Sequence, residues 1–292
     1  MTTDELVPAR GLAAAQLEQI AELAEACNRA EGLAMKLNWG RLRHRPADEL
    51  NDFLYYADGQ LAGYLALYIF HSREAEVSAM VAPAARRQGI FTRLLTQARR
   101  EVWRRGIPSL LFICERKSAG GQAAMRAAGA AYEFTEYRMD MPPQTAPPPI
   151  PASPVKLVPA GLNDIPTLAA MDETCFNVPA EASAGQMQAD AARKSPKNAW
   201  LARLNGETIG KIHVSPHPAE TFITGLCILP AYRGQGHGSA ILARMLADLR
   251  AQGHRHLALE VESKNDRALN IYRRCGFEVT TAYDYFRLAA GN

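Results

Sequence analysis

Between Thr221 and Phe277 lie the residues whose types and spacing point most directly to chemistry. Arg233-Gly234-Gln235-Gly236-His237-Gly238 stands between two apolar runs, TFITGLCIL and SAILARMLADLRAQG. The first is rich in apolar and β-branched residues and ends at Pro230, so it reads as a mostly buried strand. In the second, Ile241, Leu242, Met245, Leu246 and Leu249 share one helical face, and Gly253 supplies a stop. A glycine turn between a strand and a helix suits an anion. Glycine lets the backbone approach a ligand closely and reach positive φ. The first helical N–H groups lack intrahelical partners, and the helix dipole adds partial positive charge there. Phosphate is the natural occupant. Arg233 adds a fixed positive charge at the mouth.

The order of residues excludes two familiar phosphate loops. No Gly-Lys-Ser/Thr follows, and the dinucleotide order Gly-x-Gly-x-x-Gly is absent. The order Arg-x-x-Gly-x-Gly resembles the pyrophosphate loop of the GNAT (Gcn5-related) acetyltransferases. A second signature follows: Asn265, Ala268, Tyr272, Gly276 and Phe277 match the family pattern Asn-x-x-Ala-x-x-x-Tyr-x-x-x-Gly-Phe. The two motifs, in the right order, carry the resemblance over residues 156–292.

The resemblance implies direct attack of an amine on acetyl-CoA, with the diphosphate held by backbone N–H groups of Gly234, Gln235, Gly236, His237, Gly238 and Ser239 and by the Arg233 side chain. It implies that Leu226, Cys227 and Ile228 supply backbone groups to the pantetheine arm and polarise the thioester carbonyl. Tyr272 lies at the position of the family's general acid. A phenol with a pKa of about 10 can donate a proton to the departing sulfur. Asn265 binds the cofactor arm or orders the loop.

The base that accepts the amine proton is less defined, because TFITGLCIL contains no carboxylate. Glu260 is the first choice; it shares a strand face with Glu262. His213, Asp172, Glu173 and a water chain compete with it. Tyr283 and Tyr285 either line the acceptor pocket or pack in the core. The implied acceptor is an amine-bearing small molecule or peptide. The alternative to an enzyme is a non-catalytic acyl-CoA sensor or interaction module.

The elements that position these residues occur twice. Adding 147 to a position in the first half reproduces the second half without a gap. Gly59 and Gly63 recur as Gly206 and Gly210; Pro83, Arg86 and Gly89 recur as Pro230, Arg233 and Gly236; Glu115, Arg126 and Gly129 recur as Glu262, Arg273 and Gly276. The hairpin turns Asp58-Gly59 and Asn205-Gly206 stand at equivalent places. Residues 142–154 contain seven prolines, the composition of a semi-rigid extended spacer. The expected organisation is therefore a domain over 1–141, a linker over 142–154 and a domain over 155–292. The expected fold class is α/β (α+β), two tandem GNAT domains, each a mixed, mostly antiparallel sheet flanked by helices. The tandem layout resembles mycothiol synthase, in which the second half is active.

The copies differ at the motif. Phe91 stands where the second copy has Gly238, Ser118 where it has Asn265, and Met125 where it has Tyr272. A thioether cannot donate a proton, so catalysis is expected in the second copy. Arg86 and Gly89 keep acyl-CoA binding by the first copy open.

Composition narrows the remaining classes. The 292 residues suffice for two domains, and 48% are hydrophobic, enough for substantial cores. A net charge of +3 with dispersed Lys and Arg argues against a nucleic-acid platform. No apolar run approaches the ~18 residues of a spanning helix, and the N-terminal residues lack a signal-like layout. The five scattered cysteines contain no C-x-x-C, which points to reduced thiols in the cytoplasm and no metal site. Cys227 and Cys275 read as small buried hydrophobes. The cluster Arg41, Arg43, His44 and Arg45 reads as a solvated loop.

Overall fold

The computed structural model describes residues 4–192, 198–217 and 219–289. The chain forms two compact units, Met1–Glu136 with Thr281–Asn292, and Tyr137–Thr280. The sequence expectation divides the chain at the proline-rich segment; the compact units instead exchange their last strands.

The first unit contains β1 (Glu5–Arg10), α1 (Ala14–Glu31), α2 (Trp39–Arg43), β2 (Leu50–Ala57), β3 (Gln60–His71), β4 (Glu74–Val81), α3 (Ile90–Arg104), β5 (Ser109–Glu115), α4 (Ala119–Ala127) and the first half of β6 (Ala131–Met141). The second contains β7 (Lys156–Pro159), α5 (Ile165–Phe176), α6 (Ala180–Ala192), β8 (Asn198–Leu204), β9 (Glu207–Pro216), β10 (Thr221–Ile228), α7 (His237–Ala251), β11 (Leu257–Glu262), α8 (Asp266–Arg274) and the start of β12 (Glu278–Ala289). Nearly every element from β2 to β5 has its counterpart 147 residues later, as the repeat requires.

In the first unit the strands follow the order β1-β2-β3-β4-β5-β12. The last strand of the chain fills the place beside β5, pairing antiparallel from Tyr283↔Glu115 to Ala289↔Ser109. In the second unit the order is β6-β11-β10-β9-β8-β7, so the end of the first repeat, Tyr137–Met141, sits beside β11. Both hairpins turn as expected, with φ of 51° and 74° at Asp58 and Gly59 and of 50° and 91° at Asn205 and Gly206. These are the left-handed values that match the twist of a two-residue hairpin.

Each sheet is covered on both faces. In the first unit α3 packs Ile90, Leu94, Ala98 and Val102 onto Phe53, Leu65 and Val77. From the other side α1 packs Ile20, Leu23, Ala24 and Cys27 onto Leu54, Tyr64 and Met80. Phe53 and Leu54 go to opposite cores because strand side chains alternate. In the second unit α7 buries Ile241, Leu242, Met245, Leu246 and Leu249 with Leu257, Leu259 and Val261 of β11. Full burial of each such side chain contributes about 1.5–3 kcal/mol. The opposite face carries α5 against β9 and β10. The stretch 172–192 comprises the end of α5 and all of α6; 193–197 fall outside the described residues.

The proline-rich segment carries no helix or strand. Its end joins the second core at Val155, which is 6% exposed. Arg45 departs from the solvated-loop expectation: its side chain is buried, with Nε 2.9 Å from a carboxylate oxygen of Asp52, itself fully buried. The Coulomb attraction of a desolvated pair turns it inward.

Candidate active site

The glycine turn has a backbone shape suited to an anion. Gly234 and Gly236 hold φ of 79° and 80°, conformations that L side chains rarely adopt. Gly236 is the N-cap of α7, and no side chain caps that end. The first-turn N–H groups, from His237 onward, therefore face out of the helix with its positive dipole end. The His237 side chain is buried; its Nδ1 lies 3.5 Å from Ser153 Oγ and its Nε2 has no partner among the described residues. Gly238 packs where an added Cβ would touch Ile228 and Ile271 at 3.8 Å.

The exposed Arg233 side chain folds back along the loop. Its Nε donates to the Ile228 carbonyl at 2.8 Å, and its outer nitrogen lies 3.7 Å from Cys175 Sγ. The side chain thus bends back to the strand end and braces the loop.

Beside the loop, β10 and β11 come apart. Their parallel pairing covers only Thr221↔Leu257, Phe222↔Ala258 and Ile223↔Leu259. Beyond that point β10 follows β9, which leaves a wedge between Thr224–Ile228 and the end of β11. A bulge sits at the opening. Thr224 pairs with His213 and Cys227 with Lys211, so Gly225 and Leu226 oppose a single residue. Gly225 holds φ of 60°. A bulge takes backbone groups out of the ladder, and here residues 225–226 are the ones released. Leu226, Cys227 and Ile228 lie on β10 beyond its pairing with β11. The bulge itself is the feature the sequence reading missed. The lone glycine inside the strand was its signal.

On the helix side of the wedge stand Asn265 and Tyr272. Asn265 is the N-cap of α8, its side-chain oxygen accepting from Ala268 N at 3.2 Å. Tyr272 is 9% exposed and lies edge-on to Phe277 with ring centroids 6.2 Å apart. Burial pushes its phenol up to about 12, with Cys275 a smaller contributor. Its hydroxyl makes no hydrogen bond among the described residues.

The candidate bases separate. Glu260 is half-buried on β11; it alternates away from Leu259 and Val261, which share the core with Tyr272. Asp172 is already engaged: it pairs with the fully buried Lys211 at 2.5 Å and accepts from Ser183 Oγ at 2.6 Å. His213 is buried beneath the bulge, its ring 3.6 Å from the position of a Cβ on Gly225. Glu173 is exposed on α5. Tyr283 and Tyr285 are buried on β12. Both belong to the first unit, where Tyr285 stacks on Phe134 at 4.4 Å, because β12 crosses to pair with β5.

Cys227 and Cys275 are buried as small hydrophobes, and burial raises both thiols. A protonated thiol is a weak nucleophile, so neither is suited to carry a covalent acyl group. Among the described residues no cluster of His, Cys, Asp and Glu could hold a metal ion. No helix among them is long and apolar enough to cross a membrane.

The first unit repeats the frame without these features. Arg86 Nε donates to Val81 O at 3.2 Å, as Arg233 does to Ile228. Its β3–β4 register runs unbroken from Gly63↔Val81 to Tyr68↔Glu76, so there is no bulge at Ser78, the counterpart of Gly225. Phe91 packs edge-on to Phe112 at 6.5 Å, and Met125 is buried in the core.

Comparison with known proteins agrees with this geometry. The model of the Acetyltransferase (GNAT) family matches residues 10–129 and again 165–277. The chain is 29% identical to the mycothiol acetyltransferase of Streptomyces griseus subsp. griseus, over 95% of this chain and 96% of that protein. It is 28% identical to that of Nocardia farcinica, over 89% and 90%. Among solved structures, a GCN5-related N-acetyltransferase from Sphaerobacter thermophilus shares the fold with a TM-score of 0.82, 21% identity and coverage of 98% and 96%. A tandem GNAT protein from the clavulanic acid biosynthesis pathway does so at 0.77, with 20% identity and 99% of both chains covered. With the family's model matched once in each repeat and the tandem fold shared end to end, the chain belongs to the GNAT family of acetyltransferases.

Proposed function

We propose that the second unit transfers an acetyl group from acetyl-CoA to a primary amine of a small molecule, by direct attack. The observation that carries this reading is the bulge at Gly225–Leu226. It stands where β10 and β11 part, on the strand that leads into the glycine turn, and the first unit has none at the equivalent Ser78.

The residues divide the work. Backbone N–H groups from Gly234 to Ser239 hold the diphosphate at the α7 N-terminus. Arg233 keeps that turn braced against Ile228. Backbone groups of Leu226, Cys227 and Ile228 align the pantetheine arm, and the bulge aims a donor at the thioester carbonyl as negative charge develops on its oxygen. Asn265 caps α8 through its oxygen, which leaves its amide N–H groups for the arm. The amine nitrogen forms a bond to the acetyl carbon, and the carbon–sulfur bond breaks. Tyr272, held protonated by burial, gives its proton to the departing sulfur. Glu260, on the opposite strand face, accepts the amine proton directly or through water.

The relatives named mycothiol acetyltransferase make amines related to mycothiol the first acceptors to try. The test is release of free thiol from acetyl-CoA by the purified full chain across a panel of small primary amines. Amine-dependent release with formation of the acetamide supports the reading. Acetyl-CoA binding without release for any amine favours a sensor instead.

A further inference from the structure

We propose that the first unit's cleft is filled by its own chain, residues 31–36 acting as a built-in strap, so that this unit takes no acyl-CoA. The inference does not depend on the second unit being active.

An acyl-CoA in this fold needs an anion site at the glycine turn, a gap between the diverging strands, and backbone groups turned into that gap. In the first unit a carboxylate stands on the arginine of the glycine turn, the chain itself crosses the gap, and no bulge turns backbone groups into it. Arg86, the counterpart of Arg233, makes an ion pair with the carboxylate of Glu31, the last residue of α1. The other oxygen of that carboxylate accepts from Ser118 Oγ at 3.2 Å. Ser118 caps α4 as Asn265 caps α8. Glu31 therefore ties the glycine turn to the facing helix with a negative charge of the protein's own. A diphosphate arriving there meets a neutralised guanidinium and a like charge.

The gap is closed next. Parallel pairing of β4 with β5 ends at Val77↔Phe112, as in the second unit. Across the divergence runs the chain that leaves α1. Ala34 N donates to Glu115 Oε2 on β5 at 2.6 Å, and Ser78 Oγ on β4 donates to the carbonyl of Lys36 at 2.8 Å. The Tyr283 hydroxyl donates to the Ala34 carbonyl at 2.7 Å. The strap is pinned to both strands by the side chains of Glu115 and Ser78, and so it lies across the opening. In the second unit the equivalent stretch turns at Asn177, with φ of 56°, and enters α6 at Ala180.

Two measurements on the full chain test this. Calorimetric titration with acetyl-CoA is expected to saturate at no more than one equivalent, to be abolished by Gly236→Asp and to be retained by Gly89→Asp. Two equivalents, or a site that survives Gly236→Asp and disappears in Gly89→Asp, would overturn the proposal. No binding at all would remove the function proposed for the second unit while leaving the closed first cleft as expected. Because either variant could misfold, hydrogen exchange of the wild-type protein supplies an independent reading. The amides of Ala34 and Met35 are expected to keep the same exchange rate with and without saturating acetyl-CoA. Faster exchange there on addition would mean that the strap yields to the ligand, against the proposal.

Discussion

Arg233 Nε and the Ile228 carbonyl are joined by a 2.8 Å hydrogen bond. Ile228 closes β10 and Arg233 opens the glycine turn, so this one contact holds the strand that would align the thioester in fixed relation to the loop that would hold the diphosphate. The same bond recurs between Arg86 and Val81 in the first unit. The arginine is thus part of the repeat's frame, and the difference between the units lies in what surrounds it.

Tyr272→Phe removes a hydroxyl that has no hydrogen-bond partner among the described residues, so folding stability should change little. Turnover should fall about 10²–10⁴-fold, the usual contribution of a positioned acid, with acetyl-CoA affinity unchanged by calorimetry. The pH dependence has a definite sign. Burial raises the phenol from its ordinary 10.0 to about 12, so the fold favours the neutral form. That contribution to stability is complete below about pH 10 and is lost as pH rises through 12. The rate should therefore show no alkaline decline from Tyr272 below pH 10. A decline near pH 8 that vanishes in the phenylalanine variant would contradict the assignment.

Gly225→Val places a β-branched residue at φ of 60° and crowds the His213 ring. A stability loss of about 1–3 kcal/mol is expected from the backbone strain, together with a steep loss of kcat as the bulge relaxes. Ser78→Val, at the unbulged counterpart, should leave kcat unaffected. Thermal melting and steady-state rates on the two variants check the contrast.

Asn265→Ser separates capping from ligand contact. Serine caps nearly as well as asparagine, whereas alanine costs about 0.5–2 kcal/mol. The serine variant should melt with the wild type yet show a raised KM for acetyl-CoA, because the side-chain amide is gone. An unchanged KM would confine Asn265 to its cap.

Lys211→Ala leaves Asp172 in a largely buried place without its cation. The expected cost is about 3–5 kcal/mol. The double change Lys211→Met with Asp172→Leu should recover most of it, since an apolar pair of similar volume removes the stranded charge. Chemical denaturation of the single and double variants measures the difference.

Much of this molecule is legible in its residues. The repeat at 147, the two glycine turns, both hairpins and the helix face of α7 follow from periodicity and from residues such as Gly236 whose backbone conformation only glycine adopts readily. Such features are local and need no knowledge of the partner. The rest depended on contacts between residues far apart in the chain. That β12 completes the first unit's sheet is a choice between two equivalent open strand edges, and the repeat makes both edges look alike. Whether a glycine in a strand makes a bulge depends on the register of the strand beside it, which is why Gly225 opens the second wedge while β4 stays regular. Whether Arg233 faces an anion or braces a carbonyl, and whether Arg86 meets Glu31, are electrostatic outcomes of three-dimensional proximity. Residue types alone make this a two-domain acetyltransferase fold with an anion loop in each half; only the tertiary structure decides which half keeps its cleft open.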